Sequence, residues 1–147
     1  MLTLLAMLGA VAGAQPATPA AAPTTAIVYV YRIGEFGGVA LRPSVYVDDQ
    51  ELARVQSGKQ FAVELPPGKN DFRSNDNTVV SITVAAGEVY FIRLDIVTGF
   101  SKGKGRLQFM DPEQGRKEIM KSRDPSDVDM VVDHKRVKLQ RFSEPGK

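Results

Sequence analysis

The sequence contains no cysteine and a single histidine among its 147 residues. Without cysteine, the chain can form no disulfide, no thiolate nucleophile and no zinc–sulfur site. The single histidine, His134, lies in a weakly patterned C-terminal segment, where a side chain is not held in the fixed geometry that catalysis needs. We therefore predict that the chain is not an enzyme and that it holds no metal or other cofactor.

An excess of charge of either sign is also missing. The chain has 19 lysines and arginines against 17 aspartates and glutamates, which gives a net charge of +2. Domains that bind nucleic acid usually carry more positive charge, and it is more clustered. We therefore expect no nucleic-acid partner. The length predicts one domain with a modest core.

The N-terminal apolar run, Leu2 to Val11, is too short for a membrane span, which takes about 20 residues. Small residues follow at Ala12 and Ala14, the two positions that a signal peptidase reads. We predict a signal peptide over residues 1–14 and an exported protein, periplasmic or secreted, without a transmembrane anchor. No lysine or arginine precedes the run, so we expect either an atypical signal or a start site upstream. A buried N-terminal helix is the alternative.

Alternating apolar and polar residues dominate the middle of the chain. In residues 59–65, Phe61, Val63 and Leu65 share one face, and the other face carries Gln60, Ala62 and Glu64, which is the pattern of a sheet with one dry face. Proline and glycine at 66–68 end this strand. The same criteria predict strands at 44–47, 52–55, 69–74, 78–84, 88–97 and 106–110.

The segment Ile27 to Tyr31 is apolar on both faces, which is typical of a strand that is covered on both sides or central in its sheet. Glycines make residues 32–43 a predicted loop. The polar residues 48–51 predict the turn of a hairpin.

The residues after the last strand favour a short helix. Asp111 can cap free amide groups, Pro112 suits the first helical position, and Gln114 can reach back as in a capping box. We expect the helix to run to about Ser122, with Ile119 as its main apolar anchor.

Together these patterns predict an all-β, mainly antiparallel β-sandwich of about seven to eight strands, with one short C-terminal helix, over residues 26–123. Residues 15–25 are rich in proline and alanine and predict an extended linker. Residues 124–147 predict a weakly ordered basic tail, with a strand at Val128 to Val132 as the alternative.

The order and spacing of these motifs resemble those of a known family. The matching segments are Ala26 to Arg32, Val45 to Asp48, Gly58 to Lys69, Ala86 to Phe91 and Gly105 to Ile119. They resemble a bacterial envelope family catalogued as a domain of unknown function (family number 2846), which is similar to the PEGA-type β-sandwich modules. The resemblance covers residues 26–123 and implies an exported, compact β-sandwich with no established enzymatic activity.

The resemblance implies no catalytic residues for this chain. Many of its members look like lipoproteins, with a cysteine at the end of the signal. Here Ala14 is followed by Gln15, which implies that no lipid anchor forms.

The most suggestive loop for binding runs from Gly99 to Arg106. Its glycines let backbone amides approach an anion, and Lys102, Lys104 and Arg106 surround them. The loop lacks the G-x-x-x-x-G-K-[ST] pattern, and no helix follows it. A mobile hairpin connection is therefore the favoured interpretation. The alternative is contact with an anion or an envelope polymer through the three cations.

The remaining candidate residues have structural explanations that we favour. Aspartates in turns commonly bond their own backbone, so we interpret the acidic turn at 48–51 as a turn and not as a calcium site. The carboxylates available for a glycosidase-like pair occupy polar strand positions and are interpreted as solvated: Glu64, Glu88 and Asp95. The basic tail residues are interpreted in the same way, with contact to anionic lipid or polymer as the alternative: Lys135, Arg136, Lys138 and Arg141.

The leading functional hypothesis is a non-catalytic binding or scaffold module of the cell envelope. It offers a sheet edge or a loop surface to an envelope protein, in the manner of β-augmentation. The second hypothesis is a binding module for an envelope carbohydrate or anionic polymer that uses residues 99–106. A small hydrolase with a shallow carboxylate site is the third.

Overall fold

Two five-stranded β-sheets share one apolar core in the computed structural model, which describes residues 13, 22–34, 38–98, 103–122 and 130–144. The described residues form ten strands: β1 Ala26–Tyr31, β2 Ser44–Val47, β3 Gln50–Arg54, β4 Gln60–Leu65, β5 Gly68–Arg73, β6 Val80–Val84, β7 Val89–Val97, β8 Lys104–Met110, β9 Met130–Val131 and β10 Val137–Lys138. One helix, α1 Pro112–Ile119, follows β8. No helix in the described ranges is long and apolar enough to cross a membrane.

The strand order is β10-β4-β1-β7-β8 in one sheet, called sheet 1 here, and β6-β5-β2-β3-β9 in the other, called sheet 2. Every pairing is antiparallel except that of β1 with β7. The predicted all-β, mainly antiparallel sandwich with one short helix is therefore confirmed. The strands expected from the sequence correspond to β1–β8, and the C-terminal segment adds two short ones.

The core between the sheets follows the period-two alternation. In β4, Phe61 and Val63 are fully buried and Leu65 nearly so, and all three lie in one apolar cluster with residues of sheet 2. Val28 and Val30 of β1 join the same cluster. Truncating a fully buried phenylalanine to alanine costs about 3–5 kcal/mol, so this face accounts for much of the stability.

Sheet 1 also has a second dry face, which the sequence analysis did not predict for β4. Tyr29, Tyr31, Ala62 and Phe91 form a separate buried cluster under α1 and the C-terminal segment. Gln60, on the predicted polar face of β4, is only 1% exposed. The prediction that β1 is covered on both sides is confirmed.

Helix α1 is fixed at both ends and through its middle. The Asp111 carboxylate accepts hydrogen bonds from the amides of Glu113 and Gln114, as the sequence predicted for a cap. A side chain at Gly115 would place its Cβ 2.5 Å from the Cβ of Phe91, so glycine permits the helix to approach the sheet closely. The helix ends at Ile119, earlier than the expected Ser122, and the Ser122 hydroxyl donates to the Ile119 carbonyl at 2.6 Å.

The hairpin of β2 and β3 has a tighter turn than the sequence suggested. Asp48 and Asp49 have φ values of 47° and 65°, and Val47 pairs with Gln50. A two-residue turn of this kind needs positive φ at both positions, and aspartate tolerates it without glycine. Strand β3 therefore begins at Gln50 and not at the expected position 52.

The prediction of a weakly ordered tail is wrong for residues 130–144. Strand β9 pairs with β3 in sheet 2, and β10 pairs with β4 in sheet 1. Phe142 is 6% exposed, and its ring meets those of Tyr29 and Phe91 edge-on at 5.2 Å each. The alternative of a strand near 128–132 is confirmed by β9, whereas two-residue strands carry too little alternation to be predicted. Most of the predicted signal peptide and most of the linker lie outside the described residues.

Candidate functional site

The two lateral sides of the sandwich differ in how their strand edges are covered. On one side, residues 130–144 run along the edges of both β3 and β4, so the chain covers these edges itself. On the other side, sheet 2 ends with β6 and sheet 1 ends with β8, and these two strands contact each other. We call this second side the open side, and the candidate site lies there.

The register shows which backbone groups of β6 point outward. Asp71 of β5 faces β2, because its carbonyl accepts from the Asp48 amide at 2.8 Å and its amide donates to the Asp48 carboxylate at 2.9 Å. Backbone groups alternate along a strand, so the residues on either side of Asp71 face β6. Their partners are Val80 and Ile82.

The backbone groups of Ser81 and Thr83 must therefore point away from β5. No described residue bonds to these amides and carbonyls. An edge of this kind is a template for another strand.

Strand β6 also lacks the usual devices that protect an edge. No charged residue occurs between Asp76 and Glu88, and all five residues of β6 are valine, isoleucine, serine or threonine. Natural edges are commonly blocked by lysine, proline or a bulge. Val79, immediately before the strand, is 54% exposed. The β6 edge is thus suited to pairing with an extended segment.

The neighbouring edge of β8 is protected. The Asp76 amide donates to the Gly105 carbonyl at 3.1 Å, and Arg106 pairs with the Asp76 carboxylate at 2.5 Å. Although partial burial works in the opposite direction, the hydrogen bonds from Arg106 and Thr78 lower the pKa of Asp76. The turn at 74–77 therefore covers the start of this edge.

Apolar side chains extend the open side between the two edges. Phe109 of β8 is 45% exposed, and its ring lies 6.4 Å from that of Tyr90. The Tyr90 hydroxyl accepts from the Ala85 amide at 2.9 Å, which occupies the backbone donor just after β6. The unoccupied part of the edge is therefore centred on β6 itself.

The structure describes two of the three predicted cations, Lys104 and Arg106, and both belong to strand β8 and not to the predicted loop. Lys102 lies outside the described residues, and Arg106 is engaged by Asp76. Lys104 is exposed beside an open cavity of about 250 Å³. The lining residues are Leu41, Arg42, Pro43, Asn75, Gly103, Lys104 and Gly105.

Gly103 and Gly105 of this segment have a packing role. A Cβ at Gly103 would lie 2.7 Å from Leu41, and one at Gly105 would lie 2.5 Å from Pro43. Close packing against the 41–43 segment therefore explains the glycines without an anion.

The acidic residues considered in the sequence do not converge. Asp49 pairs with Arg73 at 3.1 Å, and Asp95 pairs with Arg93 at 2.9 Å. Glu64 and Glu88 are exposed. The part of the chain that the structure describes holds no group of three or more potential metal ligands. His134 is exposed in the turn before β10.

A polar cluster on the outer face of sheet 1 was missed by sequence reasoning. The Tyr31 hydroxyl donates to Glu118 at 2.7 Å, and Arg93 bonds the same carboxylate at 3.0 Å. Burial and the bond to Glu118 raise the pKa of Tyr31, whereas the bonds from Tyr31, Gln114 and Arg93 lower the pKa of Glu118 against the effect of its own burial. The cluster ties α1 to the sheet, and every polar group in it is partnered.

Comparison with known proteins agrees with the predicted family. The family described as "Protein of unknown function (DUF2846)" matches residues 23–106, which is more than half of the chain. A relative from Haemophilus influenzae, described as "Uncharacterized protein", is 27% identical over 110 residues, or 73% of this chain. The chain spans 61% of that relative's length. No solved structure matches this chain. This chain therefore belongs to the family of proteins of unknown function DUF2846.

Proposed function

We propose that this chain is a non-catalytic binding or scaffold module of the bacterial cell envelope, which receives an extended protein segment on the edge of β6. The observation that supports the proposal is the uncharged β6 edge, with the Ser81 and Thr83 backbone groups directed outward. The other side of the sandwich is already occupied by the chain's own strands. Among the described strands, β6 therefore offers the longer edge of sheet 2 at which a further strand can pair.

An added strand gains two kinds of interaction at this edge. Each backbone hydrogen bond to Ser81 or Thr83 contributes about 0.5–1.5 kcal/mol net. Alternate side chains of the guest lie beside Val80, Ile82 and Val84, which face the core. Affinity then comes from the main chain and specificity from the apolar side of the guest. The guest is expected to be β-branched or aromatic at alternate positions and free of proline.

The cellular setting is part of the same proposal. The apolar run before Ala14 supports export through a signal peptide, and Gln15 in place of cysteine supports a form without a lipid anchor. The partner would then be a protein of the periplasm or of the envelope surface.

Site-specific photocrosslinking in the native envelope tests the proposal. A photoreactive amino acid at the exposed Val79 should give a discrete adduct with a partner protein, and one at Glu113 on the far helix should not. The adduct should be lost in Thr83→Pro, which removes an outward amide, and retained in Thr83→Ala, which keeps it. Absence of an adduct at Val79, or an adduct that Thr83→Pro leaves unchanged, would refute the proposal.

A second candidate function is binding of an anionic envelope polymer at the cavity beside Lys104. The specific support is the position of Lys104 and Arg42 on the lining of that cavity. Retention on peptidoglycan or polysaccharide that weakens with salt is the expected behaviour. Charge reversal at Lys102 and Lys104 should reduce retention, and unchanged retention would remove this candidate.

A further inference from the structure

The residue pattern of β6 is symmetric about its centre. The strand reads valine, serine, isoleucine, threonine and valine from residue 80 to 84. Val80, Ile82 and Val84 face the core, whereas Ser81 and Thr83 are exposed. If the strand is turned end for end about Ile82, apolar residues fall on apolar positions and hydroxyl residues fall on hydroxyl positions.

We infer that the β6 edge binds the β6 edge of a second copy of this chain, in an antiparallel pair centred on Ile82. The inference rests on the proposed function, because it names the first occupant of the same edge. A two-fold axis midway between the two Ile82 residues joins the two copies of sheet 2 into one continuous ten-stranded sheet. Because each copy uses the same surface, the assembly closes at two copies.

The backbone geometry fits this register. Opposite residues in an antiparallel pair exchange both hydrogen bonds at alternate positions. With Ile82 opposite Ile82 of the second copy, Ser81 lies opposite Thr83 in both halves of the pair. These are the residues whose amides and carbonyls point away from β5. The outward amides and carbonyls of both copies are then hydrogen-bonded.

The side chains fit as well. Val80 lies opposite Val84 on the core-facing side, and serine lies opposite threonine on the exposed side, where hydroxyl pairs stabilise adjacent strands. No like charges meet within the pair of β6 strands, because β6 has none. By contrast, β8 carries Lys104 and Arg106 and is covered by the turn at 74–77, so it offers no equivalent self-pairing edge.

The exposed neighbours add apolar surface on the same side. Val79, immediately before β6, and Phe109 of β8 are 54% and 45% exposed. A pair of five-residue strands buries less surface than a permanent dimer does. We therefore expect a reversible dimer whose population rises with concentration.

Sedimentation velocity of the full chain over a range of concentrations tests the inference. The wild type should shift from monomer to dimer and no further. Thr83→Pro removes an outward amide from each copy and should weaken dimerisation by about tenfold to a hundredfold. Thr83→Ala keeps the amide and loses only the threonine side-chain contacts, so it should weaken dimerisation less than Thr83→Pro does. A wild type that stays monomeric, associates without limit, or is unaffected by Thr83→Pro would overturn the inference.

A charge-pair design tests the register with the fold held constant. In β5, Asp71 lies beside Ser81 and Lys69 beside Thr83. In the double variant Ser81→Lys with Thr83→Glu, each new side chain therefore lies beside an opposite charge of β5. The new lysine also lies opposite the new glutamate across the dimer, so dimerisation should persist. Ser81→Lys with Thr83→Lys places lysine opposite lysine, and the dimer should be lost. Equal behaviour of the two variants, with both folded by circular dichroism, would contradict the register.

Photocrosslinking at Val79 distinguishes this inference from the proposed function. An adduct at Val79 that contains two copies of this chain supports the dimer. A monomeric protein in solution that still gives a Thr83→Pro-sensitive adduct with a different protein would refute the dimer and leave the proposed function standing.

Discussion

Replacing Phe142 with alanine tests whether the C-terminal segment belongs to the folded domain. The Phe142 ring packs edge-on against Tyr29 and Phe91, and its amide donates to the buried Gln60 side chain at 2.9 Å. A phenylalanine-to-alanine change in a core costs about 3–5 kcal/mol. Here we expect a loss of about 3 kcal/mol in the free energy of unfolding. The lower end applies because strands β9 and β10 are only two residues long, so the segment can detach locally without unfolding the sandwich.

Urea unfolding measures this loss, and amide exchange locates it. The Glu64 amide, which donates to the Arg136 carbonyl at 2.9 Å, should exchange faster in the Phe142→Ala variant. Leu139→Ala is the matched control, because Leu139 is 48% exposed, and it should change stability by less than about 0.5 kcal/mol. A Phe142→Ala variant as stable as this control would refute the assignment of the segment to the core.

Three further changes address the helix and the polar cluster on sheet 1. Gly115→Ala should destabilise the fold by about 1–3 kcal/mol in urea unfolding, because the new Cβ meets Phe91, even though alanine is the better helix former; equal or greater stability would contradict the packing. Asp111→Ala should cost about 1 kcal/mol through loss of the cap, and an unchanged urea midpoint would contradict it. Because the folded-state pKa of Glu118 lies below its ordinary value of 4.5, its contribution is present above that pH and is lost as the pH falls below it. Glu118→Gln should therefore lower the free energy of unfolding at neutral pH, and the variant should lose less stability than the wild type between neutral and acidic pH. A dependence of stability on pH that is the same in both proteins would show that the cluster contributes nothing.

Much of the fold could be predicted because it follows from patterns among neighbouring residues. The alternation of Phe61, Val63 and Leu65 predicted one face of β4, and the doubly apolar run from Ile27 to Tyr31 predicted a central strand. The cap at Asp111 predicted the start of α1. Each of these signals lies within a few neighbouring residues, so one strand or one helical turn is enough to reveal it.

The missed features depend on residues that are far apart in the sequence. Tyr31 and Glu118 are 87 positions apart, and neither has a local pattern that names the other. Gln60 was assigned to a polar face because nothing near it in the sequence shows that the Phe142 segment covers it. The strands β9 and β10 exist because edges of β3 and β4 are there to receive them, and not because of their own propensity.

The candidate site was likewise predictable only in part. A sheet edge was predicted as a binding surface, but its identity required the register. Only the pairing of β5 with β6 and the contacts of Asp71 show that Ser81 and Thr83 direct their backbone groups outward. The loop with Lys104 and Arg106 was visible in the sequence as a cluster of cations, whereas the Asp76 partner of Arg106 lies 30 positions away.

The most direct measurement is residue-by-residue amide hydrogen exchange along β6 in a dilute sample. The Val80, Ile82 and Val84 amides face β5 and should be protected, whereas the Ser81 and Thr83 amides should exchange rapidly. Strong protection of Ser81 and Thr83 under dilute conditions would show that the edge is already occupied and would contradict the account. So would rapid exchange at all five positions.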